Sequence, residues 1–163
     1  MRGSSDRRCT RSAASQVHVF DMSGKKLKDI PLPLYGNMVR SGRGDEAGPA
    51  IIVGGSNLAG AGEMVVRVDL AGKVKWELKL PEAGGAKGRV HIVAMSASTV
   101  DALATVGTVD GTVFVLYTDT GKIIATTTGQ GMAPEAAFFT DAETKKPAFG
   151  VLTKAGIAAF RIK

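Results

Sequence analysis

One phrase occurs three times in this chain at an almost constant interval, and it limits the possible folds more than any other feature. In each copy an apolar run leads into a polar turn that contains Gly-Lys, and a second short run follows the turn. The turn glycines are Gly24, Gly72 and Gly121, so the intervals are 48 and 49 residues. A fixed period of this size is typical of repeat architectures, in which every repeat is one supersecondary unit.

Each copy of the phrase predicts a β-hairpin. Its apolar runs are rich in β-branched and aromatic residues, which favour strands, and its glycine supplies the positive φ that a tight turn needs. The same patterns along the whole chain predict an all-β protein with no helix of 10 residues or more. The 13 predicted strands are 16–21, 25–30, 35–40, 49–55, 63–69, 73–80, 90–95, 102–106, 112–117, 123–128, 135–140, 148–153 and 157–162.

The predicted strands fall into four units that hold two, four, four and three strands. Pro31 and Pro33 end the first unit and Pro81 ends the second, because proline cannot donate a hydrogen bond to a strand ladder. The ends of the first three units are therefore placed near residues 33, 81 and 130. Within the second unit, the polar and glycine-rich stretch 41–48 is predicted to be a loop between two strands.

The composition excludes several classes of protein. A hydrophobic content of 44% and a charged content of 22% are typical of a globular chain, and the 21 glycines fit a chain with many tight turns. The apolar runs are strand-sized, and none approaches the roughly 20 residues that cross a bilayer, so no membrane span is expected. Cys9 is the only cysteine, which excludes an intrachain disulfide and a cysteine-based zinc site.

Positive charge is concentrated near the N-terminus. The net charge is +6, and residues 1–15, with four arginines and one aspartate, carry +3 of it, which leaves +3 on the other 148 residues. These lack the dense basic stripe with interleaved aromatic residues that is typical of nucleic-acid binding, so no nucleic-acid partner is expected. Residues 1–15 show neither hydrophobic periodicity nor the apolar core of a secretory signal. They are predicted to be a basic, disordered leader, with a transit peptide as the alternative, and the sequence assigns no compartment.

Four short antiparallel strands per unit, at about 48 residues, are the pattern of a β-propeller blade. The repeat resembles that of PQQ-like (pyrroloquinoline-quinone-type) propellers, in which an apolar strand, Asp and Gly-Lys are followed by an aromatic residue, commonly Trp. Trp76 keeps this aromatic residue, whereas Lys28 and Ala125 stand at its position in the other copies. The resemblance covers about residues 17–163 and implies that the aromatic residue docks one blade on the next. The expected fold is a partial β-propeller at 16–163, with two complete and two partial blades.

The recurrent residues of the repeat are assigned to structure. An Asp at the same phase of several units is better explained by backbone N–H bonds in a turn than by catalysis, because a catalytic site is built once whereas a turn is built in every blade. The residues assigned to turns and to the repeat are Asp21, Gly24, Lys25, Asp69, Gly72, Lys73, Trp76, Asp110, Gly111, Gly121, Lys122 and Gly156.

The candidates for chemistry do not converge in the sequence. Asp45 and Glu46 are adjacent, so on an extended chain they point in opposite directions, whereas an acid–base pair needs convergent carboxylates. His18 and His91 fall in different strands of different units, and two distant imidazoles are too few for zinc. The sequence therefore predicts no catalytic residue, no metal ligand set and no cofactor, and an enzyme is the less favoured class.

The favoured function is a non-catalytic scaffold or interaction module that binds a protein partner. Two alternatives stay open: a fragment or subunit of a propeller enzyme similar to the quinone-dependent dehydrogenases, and a propeller that binds a carbohydrate or another small ligand. A closed propeller needs at least about four blades, and the two end units together hold five strands, one more than a shared blade needs. The chain is therefore expected to be a fragment of a larger propeller, or to be completed by another copy or another subunit.

Overall fold

The computed structural model describes residues 15–45, 48–58, 62–81, 91–128, 135–153 and 156–162, and these residues form strands and turns without a helix. The strands are β1 (Gln16–Phe20), β2 (Lys26–Pro31), β3 (Leu34–Asp45), β4 (Gly48–Asn57), β5 (Glu63–Val68), β6 (Val74–Lys79), β7 (Ile92–Ala97), β8 (Leu103–Thr108), β9 (Val113–Tyr117), β10 (Ile123–Thr127), β11 (Ala136–Thr140), β12 (Pro147–Thr153) and β13 (Gly156–Arg161). In these ranges no helix could span a membrane. Except for Ser15, the predicted leader lies outside the described residues.

The strands pair into four antiparallel sheets, called blades 1 to 4. Blade 1 is β1-β2, blade 2 is β3-β4-β5-β6, blade 3 is β7-β8-β9-β10 and blade 4 is β11-β12-β13. Strands that are neighbours in a sheet are also neighbours along the chain, so each blade is a meander. The prediction of an all-β chain with two complete four-stranded blades and two partial ones is confirmed.

The middle strands of the complete blades are buried on both faces. Every residue of β5 and of β8 is buried, and so is the run 50–55 of β4. Strand β6, by contrast, alternates between exposed and half-buried residues. Trp76 and Leu78 pack against the layer shared with blade 3, and Val74, beside an irregularity in the ladder, packs against the layer shared with blade 1. A continuous apolar run therefore marks a central strand, and an alternating run marks an outer strand.

The hydrophobic core lies between the blades, in three layers. The layer between blades 1 and 2 includes Ile30, Leu34, Val66 and Val68. The layer between blades 2 and 3 includes Ile52, Val65, Val106 and Phe114, and the layer between blades 3 and 4 includes Val113, Phe149 and Val151. Complete burial of one such side chain contributes about 1.5–3 kcal/mol to the free energy of unfolding. Because these side chains are buried only where two blades stack, each blade depends on its neighbours for this stabilisation.

The predicted loop at 41–48 is wrong. Strand β3 continues to Asp45 and β4 begins at Gly48, and these two residues pair with each other across the hairpin. The extended hairpin reaches blade 3, where the Arg43 N–H donates to the Ser98 carbonyl at 2.9 Å. Glycine disfavours strands, but pairing with the adjacent strand and with blade 3 outweighs that preference here. The other strand ends differ from the predicted ones by at most two residues.

Candidate functional site

The first two Gly-Lys turns are closed by equivalent hydrogen bonds. Asp21 Oδ1 accepts a bond from the Lys25 backbone N–H at 3.0 Å, and Asp69 Oδ1 accepts one from the Lys73 N–H at 2.9 Å. The turn glycines have positive φ, 83° at Gly24 and 90° at Gly72. A side chain would be strained at this φ, which accounts for the glycines, and the backbone bonds account for the aspartates.

Hydrogen bonds lower the pKa of both aspartates. The Ser23 hydroxyl, which donates to Asp21, is the main reason why the pKa of Asp21 lies below its ordinary value. The Lys73 N–H is the main reason why the pKa of Asp69 is lowered. Both carboxylates stay ionised at neutral pH and are directed at the turn backbone.

The third turn is one residue longer. Here Tyr117 pairs with Lys122, and the Tyr117 carbonyl accepts a bond from the Gly121 N–H at 2.9 Å. The bonded glycine therefore lies four residues after Tyr117, whereas in blade 2 Gly72 lies three residues after Asp69. The extra residue accounts for the interval of 49 rather than 48. Tyr117, and not Asp119, therefore stands at the position that Asp69 has in blade 2.

The turns of blades 2 and 3 each lie against the outer strand of the preceding blade. A Cβ added at Gly121 would lie 2.7 Å from the Trp76 ring, and one added at Gly72 would lie 3.7 Å from Ile30. Trp76 Nε1 also donates to the Thr118 carbonyl at 3.0 Å, so the indole of blade 2 is bonded to the turn of blade 3. The indole therefore takes part in the contact between blades 2 and 3.

Substitution of Gly121 tests the contact between the Trp76 ring and the turn of blade 3. Alanine at position 121 combines a left-handed φ of 71° with a Cβ inside the Trp76 ring contact, so Gly121→Ala should destabilise the fold by about 2–3 kcal/mol. Gly24→Ala is the matched control, because its φ is 83° but nothing lies within 4 Å of the added Cβ, and it should cost about 1 kcal/mol. Urea unfolding followed by the fluorescence of Trp76 measures both, and equal losses would contradict the packing argument.

A buried arginine bridges the same two blades. The Arg67 side chain on β5 is 3% exposed. Its Nη2 lies 2.8 Å from Asp45 Oδ2, and its Nη1 donates to the Thr118 carbonyl at 3.3 Å. The Thr118 hydroxyl donates in turn to the Arg43 carbonyl at 3.2 Å. Asp45, from the hairpin that was predicted to be a loop, is thus the counter-charge of Arg67 at the contact between blades 2 and 3, called the seam.

Two further arginines of β3 bind the backbone of blade 3. Arg40 Nε donates to the Met95 carbonyl, and Arg43 Nη1 donates to the Val100 carbonyl, each at 2.7 Å. Hydrogen bonds from a charged donor are stronger than neutral ones, at about 1.5–3 kcal/mol. The inner strand of blade 2 is therefore attached to blade 3 by side chains as well as by the apolar layer.

The second polar cluster joins Glu63, Ser56 and His91. Glu63 Oε1 accepts a bond from the Ser56 hydroxyl at 2.9 Å and lies 3.1 Å from His91 Nδ1. Glu63 Oε2 is buried without a hydrogen-bond partner in the described part of the chain. Both the serine and the histidine meet the same glutamate oxygen, so the cluster does not have the Ser-His-acid order of a hydrolase triad. The other histidine, His18, lies beside Asp29 on blade 1.

The remaining turn residues form bonds of their own turns, although Val109, in the turn of Asp110, donates its N–H to the His91 carbonyl. Asp110 Oδ1 accepts a bond from the Thr112 N–H at 3.2 Å, in the turn between β8 and β9, where Gly111 has a φ of 84°. Gly156 begins β13 with a φ of 127°. No group of three or more His, Cys, Asp or Glu residues could hold a metal ion, as far as the described ranges show.

Blade 4 carries a charged cluster of its own. Asp141 Oδ1 accepts bonds from the N–H groups of Glu143 and Thr144, at 2.9 and 2.8 Å. Arg161 Nε lies 2.6 Å from Asp141 Oδ2. The Thr144 N–H and then Arg161 lower the pKa of Asp141 from 3.8 to about 2.

The lowered pKa of Asp141 predicts an acid-dependent loss of stability. Because the folded protein holds this pKa at about 2 against 3.8 when unfolded, the unfolded chain binds the proton first as the pH falls. The stabilisation by this carboxylate is complete above its unfolded pKa and is lost between about pH 4 and pH 2. Asp141→Asn should flatten the pH dependence of the urea midpoint in that window. Parallel curves for the variant and the original protein would refute this.

Sequence reasoning did not single out Arg67 or Glu63. The available signal for Arg67 was a charged residue inside the continuous apolar run from Met64 to Val68. Such a strand is buried on both faces, and a buried charge needs a partner. It did single out Asp45, but only with Glu46 as a weak acid–base pair. The structure brings Asp45 to Arg67, and Glu46 lies outside the described residues.

Comparison with known proteins bears on the fold. No protein-family model matches the chain, and no curated protein sequence does. The chain is similar to BBS1N as solved in complex with ARL6DN in a crystal soaked with lead, with a TM-score of 0.57 and 15% identity over 85% of this chain and 48% of that one. For the same complex soaked with mercury, the TM-score is 0.57 and the identity 17%, over 84% and 44% of the two chains. The chain thus spans about half the length of these structures, and the shared fold is a β-propeller.

Proposed function

We propose that this chain is part of a β-propeller that serves as a non-catalytic scaffold and binds a protein partner. The observation that carries the proposal is the fold shared with BBS1N, whose structure was solved in complex with ARL6DN. A propeller presents rims of loops and turns on a stiff ring of blades, and function on such a fold resides in the surfaces that these rims offer.

The polar contacts between the blades support a scaffold role. Three side chains of blade 2 each donate a hydrogen bond to a carbonyl of blade 3, namely Arg67, Trp76 and Arg43. These bonds hold the blades in position. In the second cluster the Ser56 hydroxyl donates to Glu63 Oε1 and His91 lies beside the same oxygen, so the three side chains do not follow the Ser-His-acid order of a hydrolase triad. These contacts restrain the two blades relative to each other, and a stiff surface loses less conformational entropy when it binds.

The repeat is proposed to be of the PQQ-like type. Its propeller region would be 16–163, with blade ends near residues 33, 81 and 130. The contact of Trp76 with Gly121 of the next blade supports this assignment, because the resemblance implies that the aromatic residue of one blade docks on its neighbour.

Blades 1 and 4 are proposed to be completed by further strands, from a second copy or from another polypeptide segment. β13 is the third strand of its sheet, and no fourth strand pairs with it in the described part of the chain. On the face of blade 4 that points away from blade 3, the side chains of Phe139, Leu152 and Ile157 are exposed. Light scattering should give a mass above 16.9 kDa, and a stable, cooperatively folding monomer would contradict the proposal.

Co-purification tests the binding role. Affinity-tagged protein, expressed in its source cells and recovered at physiological salt, should elute from size exclusion with a second protein in a constant molar ratio. Mass spectrometry would identify that protein, and calorimetry with the two purified components would measure their affinity. Recovery of the chain alone, or only with a small-molecule ligand, would overturn the proposed function.

A further inference from the structure

Strand β13 leaves one edge of blade 4 without a paired strand in the described part of the chain. The Ile162 N–H donates to the Pro147 carbonyl of β12, and successive residues of a strand direct their backbone groups to alternate sides. The backbone groups of Phe160 therefore also point to β12. The residues of β13 whose backbone groups point to the open edge are Ile157, Ala159 and Arg161. Such an edge is a template for a further strand.

A cavity of about 470 Å³ adjoins this edge, between blades 3 and 4. Ile124 and Ala125 of β10 line it on one side, and Phe149, Phe160 and Ile162 of blade 4 line it on the other. The rings of Phe149 and Phe160 are stacked, with their centroids 5.1 Å apart. The small side chain of Ala125 stands where blade 2 has a tryptophan, which leaves part of this apolar space open.

The contact between blades 2 and 3 shows what fills the equivalent place. Val106 and Phe114 pair within blade 3 and face blade 2, just as Phe149 and Phe160 pair within blade 4 and face blade 3. Phe114 is 2% exposed, whereas Phe160 is only half-buried. In blade 3 the fourth strand, β10, pairs with β9, and its Ile123 packs against the layer shared with blade 2. A fourth strand on β13 would cover Phe160 in the same way.

The fourth strands of blades 2 and 3 share one side chain that faces the preceding blade. Val74 and Ile123 each lie two residues after the turn glycine, and each packs against the layer shared with the blade before it. Both side chains are β-branched, which suits an extended backbone. A segment that fits the cavity therefore needs an extended backbone and a β-branched apolar side chain two residues after a turn.

A fourth strand from a different polypeptide fits this site better than a small molecule or a second copy. A small molecule could fill the cavity, but it would not pair with the row of backbone groups along β13. In a second copy the fourth strands β2, β6 and β10 are already paired with the third strands of their own blades. None of these described strands is therefore free to pair with β13.

We propose that β13 and the cavity beside it form the binding site for the protein partner, which adds an extended segment to β13 as a fourth strand and places a β-branched apolar side chain in the cavity. This inference rests on the proposed function and names the surface and the kind of segment that binds it. In strand addition of this kind the backbone bonds supply affinity, and the pocket for a side chain supplies specificity.

A synthetic peptide tests the site on the full chain. Residues 118–128 contain the turn and the fourth strand of blade 3. A fluorescently labelled peptide of this sequence should bind the purified protein saturably, as measured by fluorescence anisotropy. The same peptide with Ile123→Asp should bind at least about tenfold more weakly, because it loses the burial of one apolar side chain. Equal binding of the two peptides would refute the role of the cavity.

Hydrogen exchange, resolved by residue with NMR, locates the bound peptide. Exchange of the Ala159 N–H, which points to the open edge, should slow at least about tenfold when the peptide binds. The Phe160 N–H already points to β12, so its exchange should change less than about twofold. Unchanged exchange at Ala159 in the saturated complex would contradict strand addition.

A proline variant removes the outward N–H. Ala159→Pro deletes a donor that β12 does not use, so it should weaken peptide binding at least about tenfold while the blade stays paired. The urea midpoint of the variant checks that it is folded. If the variant is unfolded, the exchange measurement on the original protein decides. A folded variant that binds the peptide as well as the original protein does would count against the site.

The co-purified partner separates this inference from the proposed function. Excess peptide should displace the partner, and a folded Ala159→Pro variant should recover at least about tenfold less of it. If a partner co-purifies but the peptide neither binds nor slows exchange at Ala159, the inference fails and the proposed function stands. If no partner co-purifies, both fail. Slow exchange of the Ala159 N–H in a dimer of the protein alone would assign the edge to a second copy and overturn the inference.

Discussion

Alanine at position 55 is expected to destabilise blade 2 more than any other glycine substitution considered. The added Cβ would lie 2.0 Å from the Tyr35 carbonyl oxygen and 2.9 Å from Gly36 Cα. These are backbone atoms of β3, paired with β4 beside an irregularity in the ladder. They can move only if hydrogen bonds of the sheet break. Gly55→Ala should therefore cost at least about 3 kcal/mol of unfolding free energy.

The neighbouring glycine provides the control for Gly55→Ala. A Cβ at Gly54 would also be too close to its surroundings, but the contacted atoms are Met95 Sδ at 2.5 Å and Ile92 Cδ1 at 3.0 Å. These are the far ends of flexible side chains, which can rotate away, so Gly54→Ala should cost about 1 kcal/mol. Urea unfolding of both variants measures the difference. A loss for Gly55→Ala no larger than that for Gly54→Ala would falsify the backbone explanation.

Truncation of Arg67 is expected to open the seam between blades 2 and 3. Arg67→Ala removes a side chain that is 3% exposed, leaves a cavity and removes the ion pair between Arg67 and Asp45. The Thr118 carbonyl keeps its bond from Trp76, and Asp45, at 45% exposed, can be hydrated. The cost should therefore come mainly from lost packing, at about 3 kcal/mol.

Arg67→Met separates volume from charge at this seam. Methionine fills a similar volume without a buried charge, and replacement of a buried ion pair by apolar groups is often nearly neutral. The variant should lose less than half of what Arg67→Ala loses. Chemical denaturation of the two variants measures the difference in their free energies of unfolding. Equal damage by Arg67→Met and Arg67→Ala would show that the charge, and not the volume, holds the blades.

The strand pattern could be predicted from the sequence because it is local. Continuous apolar runs such as 50–53 and 113–116 became central strands, and the alternating run 74–79 became an outer strand. The hairpin at 41–48 could not be predicted, since its Ser, Gly and Arg residues have weak strand preference. Its pairing depends on the Arg43 N–H bond to Ser98, which lies 55 residues further along the chain.

Less of the candidate site than of the strand pattern could be predicted from the sequence. The sequence pointed to a Gly in all three Gly-Lys turns and to an Asp in the first two, and the structure shows that the third turn has Tyr117 at the Asp phase because it is one residue longer. An interval of 49 instead of 48 was the visible signal of that insertion. Nothing in the local pattern placed Ser56, Glu63 and His91 together.

The sequence by itself determined the period, the hairpins and the division into two complete and two partial blades. These depend on side-chain alternation and turn chemistry within a few residues of each other. Only the tertiary structure decided which polar groups meet between the blades. Arg67 and Thr118 are 51 residues apart, and Trp76 and Thr118 are 42 residues apart. Such contacts form when two finished blades stack, and a local pattern carries no information about the facing surface of the next blade.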